Sequence, residues 1–356
     1  MKHLFATGIT LLLLMWGMTG CSETQKAQSD EVPAFVTIQG KDLVKPNGEK
    51  LFIMGTNLGN WLNPEGYMFK FEKANSARLI NDMFCQLVGP DFTARFWKTF
   101  KDNYVTREDI RFIKSTGANT IRLPFHYKLF TDEDYMGLTA AQDGFQRIDS
   151  LVEWCRESDL YLILDMHDAP GGQTGDNIDD SYGYPWLLES EESQQLFCDI
   201  WRRIADRYKN EPVILGYELM NEPIAPYFDN VPELNSKLET VYKRGVKAIR
   251  EVDSNHIVLL GGAQWNGNFS VFRDSKFDDK LMYTCHRYGG PATEDAIRGF
   301  IQFRDSVNLP MYMGEIGHNT DEWQAAFCQV MRDNNIGYTF WPYKKMEGSS
   351  FVGITP

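Results

Sequence analysis

The chain has 356 residues, a formal net charge of −13, and 43% hydrophobic and 13% aromatic residues. That length fits one (β/α)8 barrel or two average domains, and the apolar fraction is enough to bury a large core. The acidic balance, with no cluster of Lys and Arg, argues against a nucleic-acid partner, whose binding relies on clustered cations that release counterions.

The first residues hold a basic Lys2, an apolar stretch from Leu4 to Met18 and then Met18-Thr19-Gly20-Cys21. This pattern reads as a secretory signal, too short in its apolar core for a bilayer span. Small residues before a lone Cys resemble the lipobox of bacterial lipoproteins, which implies that Cys21 becomes the lipidated first residue. Residues 1–21 are then a lipoprotein signal peptide, 22–34 a flexible polar tether, and 35–356 a single domain, lipid-anchored to the outer membrane or cell surface of a Gram-negative bacterium. An ordinary cleaved signal is the alternative. The other cysteines, Cys85, Cys155, Cys198, Cys285 and Cys328, are odd in number and contain no CxxC, so they read as small buried apolar residues.

An entry hairpin is expected from Phe35–Ile38 and Leu43-Val44 around Pro46-Asn47-Gly48. Short apolar runs then alternate with longer amphipathic ones. The strand candidates are 51–56, 120–124, 160–166, 214–220, 257–260, 281–285, 311–314 and 338–341. Helical spacing marks 107–115, 145–157, 193–208, 234–252, 293–304 and 321–334. Alternation of this kind forces neighbouring strands parallel, and a right-handed series of eight closes into an α/β (β/α)8 TIM barrel. A doubly wound open sheet is the other solution. The segment from Gly59 to Val105, with helical stretches near Ala77 and Phe92, is long for a β/α loop and is expected to wall a cleft. Pro356 lies only fifteen positions beyond Trp341, so the outer helix after the eighth strand is expected to be truncated.

Polar and aromatic residues recur where these strands end: Asn57 and Trp61, Arg122 and His126, His167, Asn221-Glu222, Trp265, His286 and Tyr288, Glu315, Trp341. Barrel active sites lie at the carboxyl ends of the strands, so the repetition points to one catalytic face. Two acids there, Glu222 and Glu315, suit glycosidic bond cleavage. One must stay ionised as nucleophile and the other, about 5 Å away, must stay protonated as acid. Arg122 and Tyr288 suit the ionised partner, and the negative charge of its neighbour would raise the proton affinity of Glu222. Asn221 suits a sugar 2-hydroxyl, Trp341 a sugar face, and His167 and His286 orientation of the acids.

These motifs, Arg122 in Thr120-Ile121-Arg122-Leu123-Pro124, His167 in Asp165-Met166-His167, Asn221-Glu222-Pro223, His286 with Tyr288, Glu315 and Trp341, resemble glycoside hydrolase family 5 over about residues 35–345. The resemblance implies a retaining glycoside hydrolase with Glu222 as acid/base and Glu315 as nucleophile, no cofactor or metal, and a β-glucan as partner. The run from His167 to Gln173 and the stretch from Asn57 to Leu62 with Glu65 resemble the exo-β-1,3-glucanase branch. That branch implies β-1,3-glucan, with Glu65 holding the terminal glucose and Trp61 beside the substrate. Endo-β-1,4-glucanase or glycoceramidase-like activity remains open, since the stretch from Thr174 to Asp180 departs from that branch. Other readings are a metal-dependent barrel hydrolase using Asp165, His167, His126 and His286, and a non-catalytic glycan-binding protein. A monomer is expected.

Overall fold

The structure is a computed structural model that describes residues 35–137, 143–346, 348, 350 and 352–354. The signal, tether and Cys21 readings lie outside the described residues. The chain enters through a small antiparallel sheet of β1 (Thr37–Gln39), β2 (Asp42–Val44) and β3 (Lys50–Leu51). Eight parallel strands follow: β4 (Met54–Asn57), β5 (Thr120–His126), β6 (Tyr161–Asp168), β7 (Ile214–Glu218), β8 (Ile257–Gly261), β9 (Leu281–His286), β10 (Met311–Gly317) and β11 (Gly337–Trp341). They pair in chain order, and β11 returns to β4, so the sheet is a closed barrel. The open sheet is thereby excluded. Burial explains the strand composition: β5, β7, β8, β9 and β10 are buried throughout, as strands wrapped on the outside by helices must be.

The helices are α1 (Ala77–Val88), α2 (Pro90–Asn103), α3 (Arg107–Ser115), α4 (Asp143–Glu157), α5 (Glu191–Tyr208), α6 (Val231–Arg250), the short kinked turn α7 (Ala263–Asn266), α8 (Arg298–Val307) and α9 (Asp321–Asp333). Their starts are chemically marked. Thr106 and Asp109 form a capping box on α3, and Ser190 and Thr320 accept from the backbone N–H groups of Ser193 and Trp323. On α6 the buried Leu234, Leu238, Val241, Tyr242, Gly245 and Ile249 recur at helical spacing and face the barrel. After β11 the described residues form only the paired strands β12 (Lys344–Met346) and β13 (Val352–Ile354), with no further helix among them. A cavity of about 610 Å³ lies beside α9, lined by His318, Gln324, Cys328, Phe340 and Trp341 among others.

The two ends of the barrel are closed differently. At the amino ends of the strands, Val36, Leu43, Leu51 and Ile53 pack with Ile163, Leu215, Ile257, Leu259, Met282 and Tyr312 into a separate apolar cluster. At the carboxyl ends, α1 and α2 rise from the long first loop and are held by an aromatic nest in which Trp97 meets Phe84, Phe96 and Phe100 at 5.1–5.6 Å between ring centres. The backbone N–H of Arg78 at the start of α1 donates to Asp180 at 3.1 Å, tying this loop to the one after β6.

Candidate active site

The residues at the carboxyl ends converge on Arg122, whose side chain is fully buried on β5. A buried guanidinium must find acceptors for its donors. Its Nε and Nη2 donate to both oxygens of Glu218 at 3.0 and 2.7 Å, and Nη2 also reaches Asn221 Oδ1 at 2.8 Å. Nη1 donates to Asn57 Oδ1 at 3.0 Å and to Glu315 Oε1 at 2.8 Å, and Asp165 lies 3.0 Å from Nη2. The pocket floor is therefore a cation among three carboxylates, cross-braced by the Tyr312 hydroxyl donating to Glu218 at 2.7 Å. Burial pushes the Asp165 carboxyl up to about 7 despite the neighbouring Arg122.

Glu315 reaches the cleft through an irregularity in β10. Pairing with β9 and with β11 shifts register after Met313, so the strand bulges at Gly314 and Glu315. Bulges next to active sites re-aim side chains, and here Glu315 receives Arg122 on one oxygen and the Tyr288 hydroxyl, at 2.5 Å, on the other. Glu222 follows β7 with a φ of 44°. That left-handed conformation is uncommon for a residue with a Cβ and costs about 1–3 kcal/mol, the kind of strain that clusters at functional sites. The His286 Nδ1 lies 2.8 Å from Glu222 Oε1 and 3.5 Å from Glu315 Oε2. Only 13% of the Glu222 side chain is exposed. Its pKa is pushed up to about 7, chiefly by burial, against the opposing pull of His167 and Arg122. Burial thus does most of what the sequence assigned to the neighbouring charge.

His167 is fixed by Asp165 Oδ2, 2.7 Å from its Nδ1, and its Nε2 lies 3.2 Å from the Asn221 amide nitrogen. Its ring lies parallel to that of Trp341, 5.1 Å between centres. Burial lowers both His167 and His286 to about 4, so each imidazole is neutral near pH 7. A cleft of about 260 Å³ opens over this floor, lined by Glu65, Tyr67, His167, Ile178, Asn221, Glu222, Tyr288, Glu315, His318 and Trp341. Glu65 is 4% exposed and its carboxyl is driven well up by burial and by Glu315, Glu222 and Asp176.

Nearly all the anticipated site residues therefore meet. Trp61 is placed otherwise: it is buried at 1% exposure, and its indole N–H donates 2.8 Å to the Lys101 carbonyl, which locks it into the packing beneath α2 rather than the cleft lining. The ligand set considered for a metal does not converge either. His126 faces Asp180 at 3.4 Å while His286 turns to Glu222. Among the described residues, the donors within 4.8 Å of one another are Glu222, His286 and Glu315. Sequence reasoning missed Glu218, Tyr312, Tyr67 and Asn266, whose amide nitrogen lies 3.1 Å from the His286 Nε2. Glu218 had a signal, an acid inside an apolar strand that must be paired. Tyr67, whose hydroxyl accepts from Trp341 Nε1 at 2.6 Å, had none.

Comparison with known proteins places the chain in a family. The family model described as cellulase (glycosyl hydrolase family 5) matches residues 85–347. A β-xylosidase of Phanerodontia chrysosporium is 30% identical, aligned over 90% of this chain and 73% of its own. Endoglucanase C of Acetivibrio thermocellus is 28% identical over 71% of this chain and 88% of its own. A glucan 1,3-beta-glucosidase of Lachancea kluyveri is 26% identical over 80% and 68% respectively. With a closed parallel barrel, two acids at its strand ends and a family model spanning most of the chain, the protein belongs to glycosyl hydrolase family 5 and is a glycoside hydrolase.

Proposed function

We propose that the enzyme hydrolyses a β-glucan with retention of configuration, β-1,3 linkages being favoured, with Glu315 as nucleophile and Glu222 as acid/base. The observation that carries the mechanism is the spacing of the two acids, whose oxygens come within 4.8 Å of each other. Retaining enzymes hold their carboxyl groups about 5–5.5 Å apart, whereas inverting ones leave about 6.5–9.5 Å for a water. Glu315 attacks the anomeric carbon while Glu222 protonates the departing oxygen; Glu222 then takes a proton from the water that releases the sugar. The Asn221 amide, braced by Arg122 and His167, is oriented toward a 2-hydroxyl. The β-1,3 preference rests on the run from His167 to Gln173 and on Glu65, a carboxyl in the cleft wall suited to glucose hydroxyls.

Reducing-sugar release over β-1,3-, β-1,4- and mixed-linkage glucans, with NMR of the first anomer formed, tests the reading. The β anomer should appear first, and Glu222→Gln and Glu315→Gln should each lower kcat at least a thousandfold while the barrel stays folded by circular dichroism. An α anomer as first product rejects retention. Highest turnover on β-1,4-glucan rejects the linkage preference in favour of the endoglucanase alternative.

A further inference from the structure

The segment that follows β7 is strained on both sides of a proline. Glu222 has a φ of 44° and Ile224 a φ of 60°. A Cβ disfavours that conformation, most of all on a β-branched residue such as Ile224, and Pro223 pushes the residue before it toward extended backbone. Such strain persists only where the surroundings over-determine it. The surroundings here are two residues of the loop after β6, Gln173 and Thr174, both fully buried.

These two residues grip the strained segment in both directions. The Gln173 Nε2 donates to the Asn221 carbonyl at 2.7 Å, and the Thr174 hydroxyl donates to the Glu222 carbonyl at 2.7 Å. In return the backbone N–H groups of Ile224 and Ala225 donate to the Gln173 and Thr174 carbonyls, each at 2.9 Å. The clamp is itself anchored. Gln173 Nε2 also donates to the His167 carbonyl at 2.7 Å, and its Oε1 accepts from the Ala169 N–H at 2.9 Å. Both amide donors are thus spent on joining the end of β6 to the segment that carries Glu222. Asp179 Oδ2 accepts from the backbone N–H groups of Thr174 and Gly175 at 2.7 and 2.8 Å. Gly175 lets the loop lie directly on the segment, because a Cβ there would come within 2.5 Å of the Phe228 ring.

Neither Gln173 nor Thr174 is among the residues that line the cleft, so both act through the segment they grip. The Glu222 carboxyl is met at its far end by His286 Nδ1, 2.8 Å from Oε1. The clamp therefore sets where this side chain leaves the backbone, and His286 meets it where it ends. A general acid must come within hydrogen-bond reach of the atom it protonates, and a small misplacement is costly in rate. We propose that Gln173 and Thr174 are positioning residues for the general-acid step: their side-chain donors fix the backbone of Asn221 and Glu222 so that the Glu222 carboxyl faces the departing oxygen. This rests on the reading of Glu222 as acid/base.

The test compares two substrates of one glycon that the parent enzyme accepts: the β-linked disaccharide, whose departing oxygen needs a proton, and the β-glycosyl fluoride, whose leaving group needs little. Thr174→Val keeps the shape of the side chain and removes the hydroxyl. It should lower the ratio of kcat/KM for the disaccharide to that for the fluoride about tenfold, and Thr174→Ser should restore it to within about twofold of the parent. Gln173→Met, which removes both amide donors, should lower the ratio by about tenfold or more. Partial unfolding lowers both rates together and leaves the ratio alone. A parent-like ratio in Thr174→Val therefore overturns the proposal even where both rates fall, and so does a lowered ratio that Thr174→Ser fails to restore. A parent-like ratio in Gln173→Met overturns the role of Gln173. Glu222→Gln is run beside them and should depress the same ratio by about a hundredfold or more. A Glu222→Gln ratio equal to the parent's removes the acid/base reading on which the proposal depends, whereas a depressed Glu222→Gln ratio beside a parent-like Thr174→Val ratio removes the clamp alone.

Discussion

With Glu222 as the proposed acid/base, the chemistry of that single carboxyl is expected to set the working range of the enzyme. Glu222 ordinarily titrates near 4.5, and its buried position beside His286 moves it to about 7. A raised pKa keeps the acid form present up to that pH and removes it above, so general-acid catalysis should decline as pH rises through about 7. The alkaline limb of kcat/KM is expected there for a substrate with a poor leaving group and should flatten for the glycosyl fluoride. A limb in the ordinary carboxylate range would contradict the assignment. His286, neutral because burial holds it near 4, does not itself titrate in that window. Arg122 works on the same scale but through charge: with Glu218 gripping two of its nitrogens, its remaining donors are aimed at Asn57, Asn221 and Glu315, and the last two of these line the cleft.

At the scale of elements, the bulge in β10 decides where Glu315 points. It requires Gly314, because a Cβ there would lie 2.4 Å from Thr284 Oγ1 and 2.9 Å from His286 Nε2. Gly314→Ala should therefore displace His286 from Glu222, lowering kcat at least tenfold and stability by about 1–3 kcal/mol in urea unfolding. Retained kcat with normal stability would show that the neighbours absorb the methyl group. The strands and helices themselves were legible. The run from Ile257 to Leu260 is β8 but for one residue, and the pattern from Arg107 to Ser115 is α3, because apolar periodicity and caps act locally. The acids and their strand ends were legible for the same reason. The bulge was not, since Met313-Gly314-Glu315 reads as an ordinary strand end until its two partners are known. Trp61 misled because a Trp near a strand end is compatible with either core or cleft, and only the position of Lys101 on α2 decides between them. The turn at Trp265 was likewise invisible: its conformation is enforced by Asn235 and His286, both distant in sequence.

For the whole molecule, the proposal of a lipid anchor at Cys21 predicts that Cys21→Ser transfers the enzyme from the membrane fraction to the soluble fraction of a Gram-negative host, with specific activity preserved. A parent protein already soluble, with no acyl mass at its mature terminus, would refute it. Acylation at that position is energetically sufficient, because each buried methylene contributes about 0.8 kcal/mol and two or more chains hold where one dissociates. The small entry sheet adds a geometric consequence. Phe35 packs edge-on against His256, immediately before β8 begins, and β1 to β3 cap the amino ends of the barrel strands. Glu222 and Glu315 open at the opposite ends. Phe35 thus stands at the end of the barrel opposite the cleft, so a chain joined ahead of it leaves the mouth open to an arriving polymer.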